Sequence, residues 1–74
     1  MVYTNEIRAN RARLGMTQRE MATAIGIKTV AAYSKKERGI TQFKADEWAR
    51  LVNMFGWSLE EADLILHGKP LPNN

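Results

Sequence analysis

All five glycines of this chain, Gly15, Gly26, Gly39, Gly56 and Gly68, stand where an amphipathic segment ends. A glycine directly behind a periodic segment is a helix stop, because it takes the left-handed conformation without a side-chain penalty. The glycines therefore divide the 74 residues into five short helices, with no stretch showing the two-residue alternation of a strand. Ile7, Arg11 and Leu14 share one face ahead of Gly15. Thr17 reads as an N-cap and Glu20 completes a capping box, with Met16 and Met21 at the positions of a hydrophobic staple. Met21, Ala22 and Ile25 form the stripe that Gly26 ends. A third helix runs from Lys28 or Thr29 to Arg38, and Ile40-Thr41-Gln42-Phe43 reads as a loop. Trp48, Leu51, Val52 and Phe55 fall at i, i+3, i+4 and i+7, the clearest amphipathic pattern of the chain. Ser58 with Glu61 opens a last helix through Leu66, and Gly68 and Pro70 terminate it. The expectation is an all-α, five-helix domain over residues 1–67, followed by a flexible tail over 68–74.

Composition excludes several kinds of chemistry. The chain has no Cys and a single His, His67, which leaves no thiolate or His-cluster metal site and no cysteine nucleophile. His67 suits the C-terminal end of a helix dipole. Glu60, Glu61 and Asp63 suit a helix N-terminus and have no neighbouring base to make them catalytic. No apolar run reaches the ~18 residues of a membrane span, and the first residues do not form a signal peptide. The expectation is a soluble, cytoplasmic domain without cofactor, metal or enzymatic activity.

The charge is divided unevenly. Residues 1–45 hold nine basic side chains against Glu6, Glu20 and Glu37, whereas residues 46–74 hold Arg50 and Lys69 against five acids. A basic front and an acidic back suggest a polyanion on one side, the alternative being an unevenly charged solvated surface. On a helical wheel of the third helix, Val30, Tyr33, Ser34 and Glu37 share one face. Lys28, Ala31, Ala32, Lys35 and Lys36 lie on the other, with Arg38 at its edge. Small residues let a helix approach a groove closely, and cations reach phosphates or guanine edges. A solvated lysine face would more often carry Glu for i,i+4 pairing, but here Glu37 points inward. Arg11 also falls on an inward face, so Arg11 and Glu37 are expected to pair, unless both side chains reach out to water.

The second and third helices, with a glycine in the short turn between them, can be a helix-turn-helix or a plain helical hairpin. Spacing alone does not separate the two, but the segments Leu14-Gly15-Met16-Thr17-Gln18-Arg19-Glu20-Met21-Ala22 and Glu37-Arg38-Gly39 carry a family resemblance. Over residues 7–39, and more weakly to about Leu66, the chain resembles the Cro and phage-repressor helix-turn-helix family. The resemblance implies a five-helix DNA-binding domain, often dimeric on paired half-sites, with an ion pair at the positions of Arg11 and Glu37. It implies phosphate contacts at Thr17, Gln18, Lys28, Arg38 and Lys44, and base contacts at Thr29, Ala31, Ala32 and Lys35. The chain departs from the family in two places. Gly26 to Gly39 is one residue longer than usual, the extra residue lying within Ile27-Lys28-Thr29-Val30, and Lys36 stands where many members have an apolar residue.

The expected function is sequence-specific transcriptional regulation, with the third helix reading double-stranded operator DNA in the major groove. The alternatives are an antirepressor that masks a partner repressor protein, and an antitoxin. Trp48 and Phe55 are expected in the core, and Met16, Met21 and Met54 in packing. In the last helix Leu59, Ala62 and Leu66, with Ile65 at the margin, are expected to dock on the fourth. Leu64 projects about 140° from Leu59 and Trp57 lies on its side, a second apolar surface that suits a homodimer. The alternative is that Trp57 folds back and Leu64 is a single exposed leucine.

Overall fold

The computed structural model describes residues 4–69. It contains α1 (Thr4–Arg13), α2 (Gln18–Ile25), α3 (Val30–Glu37), α4 (Ala45–Phe55) and α5 (Leu59–Leu66), with no strand among the described residues. Pro70 and the rest of the expected tail lie outside them. Side chains cap the starts of α2, α3 and α5. The hydroxyls of Thr17 and Ser58 accept from the amides of Glu20 and Glu61, whose carboxylates accept from the cap residues' own amides. These reciprocal bonds satisfy amides that a helix start would otherwise leave unpaired. The Thr29 hydroxyl caps α3 through the amide of Ala32. Lys44, at the cap of α4, has no side-chain acceptor, but its amide donates to the Glu47 carboxylate at 2.8 Å.

All five glycine-terminated ends close in one way. The residue after the glycine donates its amide to the carbonyl five positions back: Met16 to Arg11, Ile27 to Ala22, Ile40 to Lys35, Trp57 to Val52 and Lys69 to Leu64. This six-to-one bond requires a left-handed residue just before it. Gly26 shows the requirement most sharply, with φ of 85° and a guanidinium nitrogen of Arg50 only 2.9 Å from where a Cβ would stand. The closure turns the next side chain inward, and after Gly15, Gly26 and Gly56 that side chain is Met16, Ile27 or Trp57, each packed in or against the core.

The core is built around α2, which packs on both α3 and α4, while α1 packs on α3. Ile7, Met21, Ala22, Ile25, Ile27, Tyr33, Leu51 and Ile65 are buried together. Trp48, Phe55, Met16 and Met54 are partly buried against them. An aromatic chain runs along one flank, from Tyr33 through Phe43, Trp48 and Trp57 to Phe55, with ring centroids 5.2–6.4 Å apart. Arg50 ties α4 to α2 by donating to the carbonyl of Ile25.

Several expected core positions differ. Leu14 is 51% exposed, because α1 ends at Arg13 and Leu14 sits in the turn rather than on the helical face. Asn10 is buried in α1 instead, its amide donating to the Glu6 carbonyl. In α5 the buried stripe is Ala62 and Ile65, whereas Leu59 is 88% and Leu66 41% exposed. Leu59 is the first residue after the Ser58 cap, and Trp57 packs against Trp48 and Phe55 just ahead of it.

Candidate nucleic-acid interface

The turn between α2 and α3 contains four residues, Gly26 to Thr29. Ile27 enters the core, Lys28 is exposed and Thr29 caps α3. The third helix thus begins at Val30, behind the Thr29 cap, rather than at Lys28 or Thr29.

Glu37 fixes the relation of α3 to α1 and α2. It is 1% exposed and accepts four hydrogen bonds. Arg11 donates from Nε to Oε2 at 2.8 Å and from its second guanidinium nitrogen to Oε1 at 3.2 Å. The Tyr33 hydroxyl donates to Oε2 at 2.6 Å and the Gln18 amide to Oε1 at 3.1 Å. Arg11 also reaches the Met16 carbonyl at 3.0 Å, so one guanidinium holds both the carboxylate and the end of the turn that precedes α2. Burial opposes ionisation of Glu37, but the bonds from Arg11, Tyr33 and Gln18 outweigh it and hold its pKa below the ordinary carboxylate value. The bond to Glu37 raises the pKa of Arg11. Burial first, then the Glu37 carboxylate, pushes the Tyr33 phenol far above its usual range. The network is fully satisfied: among the described residues no buried side-chain polar atom lacks a partner. A buried charge that kept an unpaired side would cost more than it returned.

On the opposite face of α3, Ala31 and Lys35 are exposed, continued by Lys28 and Thr29 before the helix and Arg38 after it. Lys28, Lys35, Arg38 and Lys44 form no ion pair among the described residues. Arg38 donates from Nε to the Ser34 carbonyl at 3.3 Å. Thr17 and Gln18 open α2, Thr17 exposed and Gln18 half-buried against Glu37. A hydroxyl that caps a helix keeps its own proton to donate, so Thr17 and Thr29 both retain a donor.

Two side chains assigned by the wheel to the outer face sit elsewhere. Ala32 is half-buried against the core. Lys36 pairs with Glu47 at 2.5 Å, their side chains only 12% and 7% exposed. The wheel places a side chain by angle alone and cannot see the N-terminus of α4, from which Glu47 reaches Lys36. Burial again opposes ionisation of Glu47, and the bonds from Lys36 and the Lys44 amide overcome it, so its pKa lies below the ordinary value. Sequence reasoning missed Glu47, Tyr33 and Gln18 as polar partners. For Glu47 a signal existed: it stands three residues after the Lys44 cap, as Glu20 and Glu61 stand after theirs. Trp57 is half-buried between Trp48 and Phe55, and Leu64 is half-buried on α5. No group of side chains that could hold a metal ion occurs among the described residues.

Two short helices joined by a tight turn, the second with its acid locked inward and Lys35 free outward, define a helix-turn-helix protein. A family model described as Helix-turn-helix matches residues 7–62. The chain belongs to that family, of the Cro and phage-repressor type, and with it to the DNA-binding transcription regulators. No curated protein and no solved structure matches the chain. No helix among the described residues is long and apolar enough to cross a membrane.

Proposed function

We propose that this protein is a sequence-specific regulator that lays α3 in the major groove of an operator and acts by occupying it, in competition with polymerase. The observation that carries the reading is the outward face of α3: Lys28, Ala31 and Lys35 are exposed without a carboxylate beside them, while the one acid of the helix is buried. Ala31 lets the helix approach the base edges closely, and Lys35 reaches a guanine. Thr29 stands beside Ala31 at the helix start, with a hydroxyl proton to donate, and Ala32 offers part of a methyl surface from the groove edge. Thr17, Gln18, Lys28, Arg38 and Lys44 bind phosphates on either side and set the register of α3 without reading sequence.

We further infer a two-fold dimer through α5, in which the half-buried Leu64 and Trp57 lie at the contact. Such a dimer would set two α3 helices about one DNA turn apart on a pseudo-palindrome. Sedimentation of the parent and of Leu64→Glu, free and with operator, tests the dimer. Two monomers binding one unpaired half-site with equal affinity would refute it.

The deciding experiment is selection of bound fragments from random DNA, followed by footprinting of the winner. Enrichment of one motif and protection on both sides of a major groove are expected. With three cations on phosphates, affinity should fall with salt at a log–log slope of about −2.7 per monomer. No enrichment and no salt dependence, together with tight binding to a repressor that excludes DNA, would replace the operator reading by that of an antirepressor.

A further inference from the structure

The loop that leaves α3 holds Arg38 at one end and Lys44 at the other, both proposed to bind phosphate. A phosphate-binding loop is useful to the neighbouring reading helix only if the two are held at a fixed separation. The loop's first half is fixed by main-chain bonds, since the amides of Ile40 and Thr41 both reach the Lys35 carbonyl, at 2.8 and 3.4 Å. Phe43 anchors its second half between the rings of Tyr33 and Trp48. Lys44 itself is exposed, with its amide bonded to Glu47.

The side chain that holds this Glu47 comes from the reading helix. Lys36 Nζ and the Lys44 amide donate to the same oxygen, Oε1, at 2.5 and 2.8 Å. One carboxylate oxygen therefore joins the last turn of α3, the end of the loop and the first turn of α4. Lys36 is spent in this contact: little of it is exposed, and its ammonium is on a carboxylate rather than in the solvent that DNA would fill. Removing its charge would leave Glu47 buried without an ion pair, with only the more distant, exposed Lys44 ammonium to favour its charge. Such a carboxylate either takes up a proton or turns out to water, and either change weakens its bond to the Lys44 amide.

We propose that Lys36 and Glu47 are a positioning pair, which holds the Arg38–Lys44 segment in register with the outward face of α3 while Lys36 touches no DNA. The proposal rests on the operator reading for its consequence, and on the free protein for its geometry. Lys36 has a different role here from its neighbour Lys35, one residue away on the same helix, and no feature of composition separates the two.

The test has an arm for each part. In the free protein, amide exchange at Lys44 should speed up about tenfold in Lys36→Met, the response of a bond worth about 1.4 kcal/mol, and return toward the parent rate in Lys36→Arg. An unchanged Lys44 amide in Lys36→Met would overturn the proposal without reference to DNA. On the selected operator, well below each variant's melting transition, Lys36→Met should bind about 2- to 30-fold more weakly, the range for side chains acting on a site they do not touch. Lys36→Arg should restore affinity, and in a Lys44→Ala background Lys36→Met should cost much less than it does in the parent, because the two side chains act through one contact. A loss in that background as large as in the parent would make Lys36 an independent DNA contact and overturn the positioning role, as would parental affinity of Lys36→Met. A parent that binds no DNA would refute the operator reading instead, and the exchange arm would still decide whether Lys36 holds the Lys44 segment.

Discussion

Replacing Arg11 by Met removes the cation from Glu37 while keeping most of the aliphatic stem. Three things are lost: the two hydrogen bonds to the carboxylate, their charge, and the bond to the Met16 carbonyl. Breaking a buried ion pair from one side costs about 3–5 kcal/mol, because the remaining charge stays desolvated. The lower end applies here. The Arg11 side chain is 21% exposed, and Glu37 keeps the donors of Tyr33 and Gln18. A loss of about 3 kcal/mol is a large share of the roughly 4–11 kcal/mol expected for 74 residues, and it should lower the melting temperature by about 12–24 °C. The sign of the pH dependence follows from the same geometry. In the parent the folded pKa of Glu37 lies below its ordinary 4.5, so the carboxylate's contribution is fully present above that value and is lost as pH falls through the folded pKa. In Arg11→Met burial acts without the cation and raises the folded pKa above the unfolded one. The penalty is then full at pH 7 and shrinks as Glu37 takes up a proton. Urea and thermal unfolding followed by far-ultraviolet circular dichroism, at pH 7 and near pH 4, measures both. Equal melting of parent and variant, or a deficit that widens in acid, would refute the reasoning. Glu37→Gln in the Arg11→Met background should recover part of the loss, since a neutral amide needs no cation.

Lys35→Ala should cost about 1–3 kcal/mol on the selected operator and relax preference at one base pair, as measured by competition against single-base variants; an equal loss on random DNA would demote Lys35 to a phosphate contact. Lys44→Ala should weaken all sequences alike and make the salt slope shallower by about 0.9, read by titration at several salt concentrations. Gly26→Ala should lose about 1–2 kcal/mol in urea unfolding, the cost of a left-handed alanine. The same Cβ would displace the Arg50 nitrogen that bonds the Ile25 carbonyl, which puts the loss at the upper end of that range.

The positions of the helices were legible in the chain because their boundaries are local. A capping box and a left-handed glycine act within a few residues, so Thr17 with Glu20, Ser58 with Glu61, and the glycines mark starts and stops whatever packs around them. The pairing of Arg11 with Glu37 was also within reach, since two inward charges of opposite sign on neighbouring helices need one another. Rotation of a helix about its axis is less local. Ile65 and Leu66 are adjacent and equally apolar, and which of them faces the core depends on where α5 meets the rest of the molecule. Leu14 satisfied the spacing of a helix that had already ended. Lys36 and Lys35 are the clearest instance: identical side chains one residue apart, one on a buried carboxylate eleven positions away and one free. A residue's own periodicity sets the direction of its side chain, but its partner comes from whatever element folds over it. The local code of caps and stops therefore determined five helices and most of their boundaries to within a residue or two. Only the tertiary placement of Glu47 beside Lys36 decided which cations remain for DNA, because burial and ion pairing depend on contacts that no single helix contains.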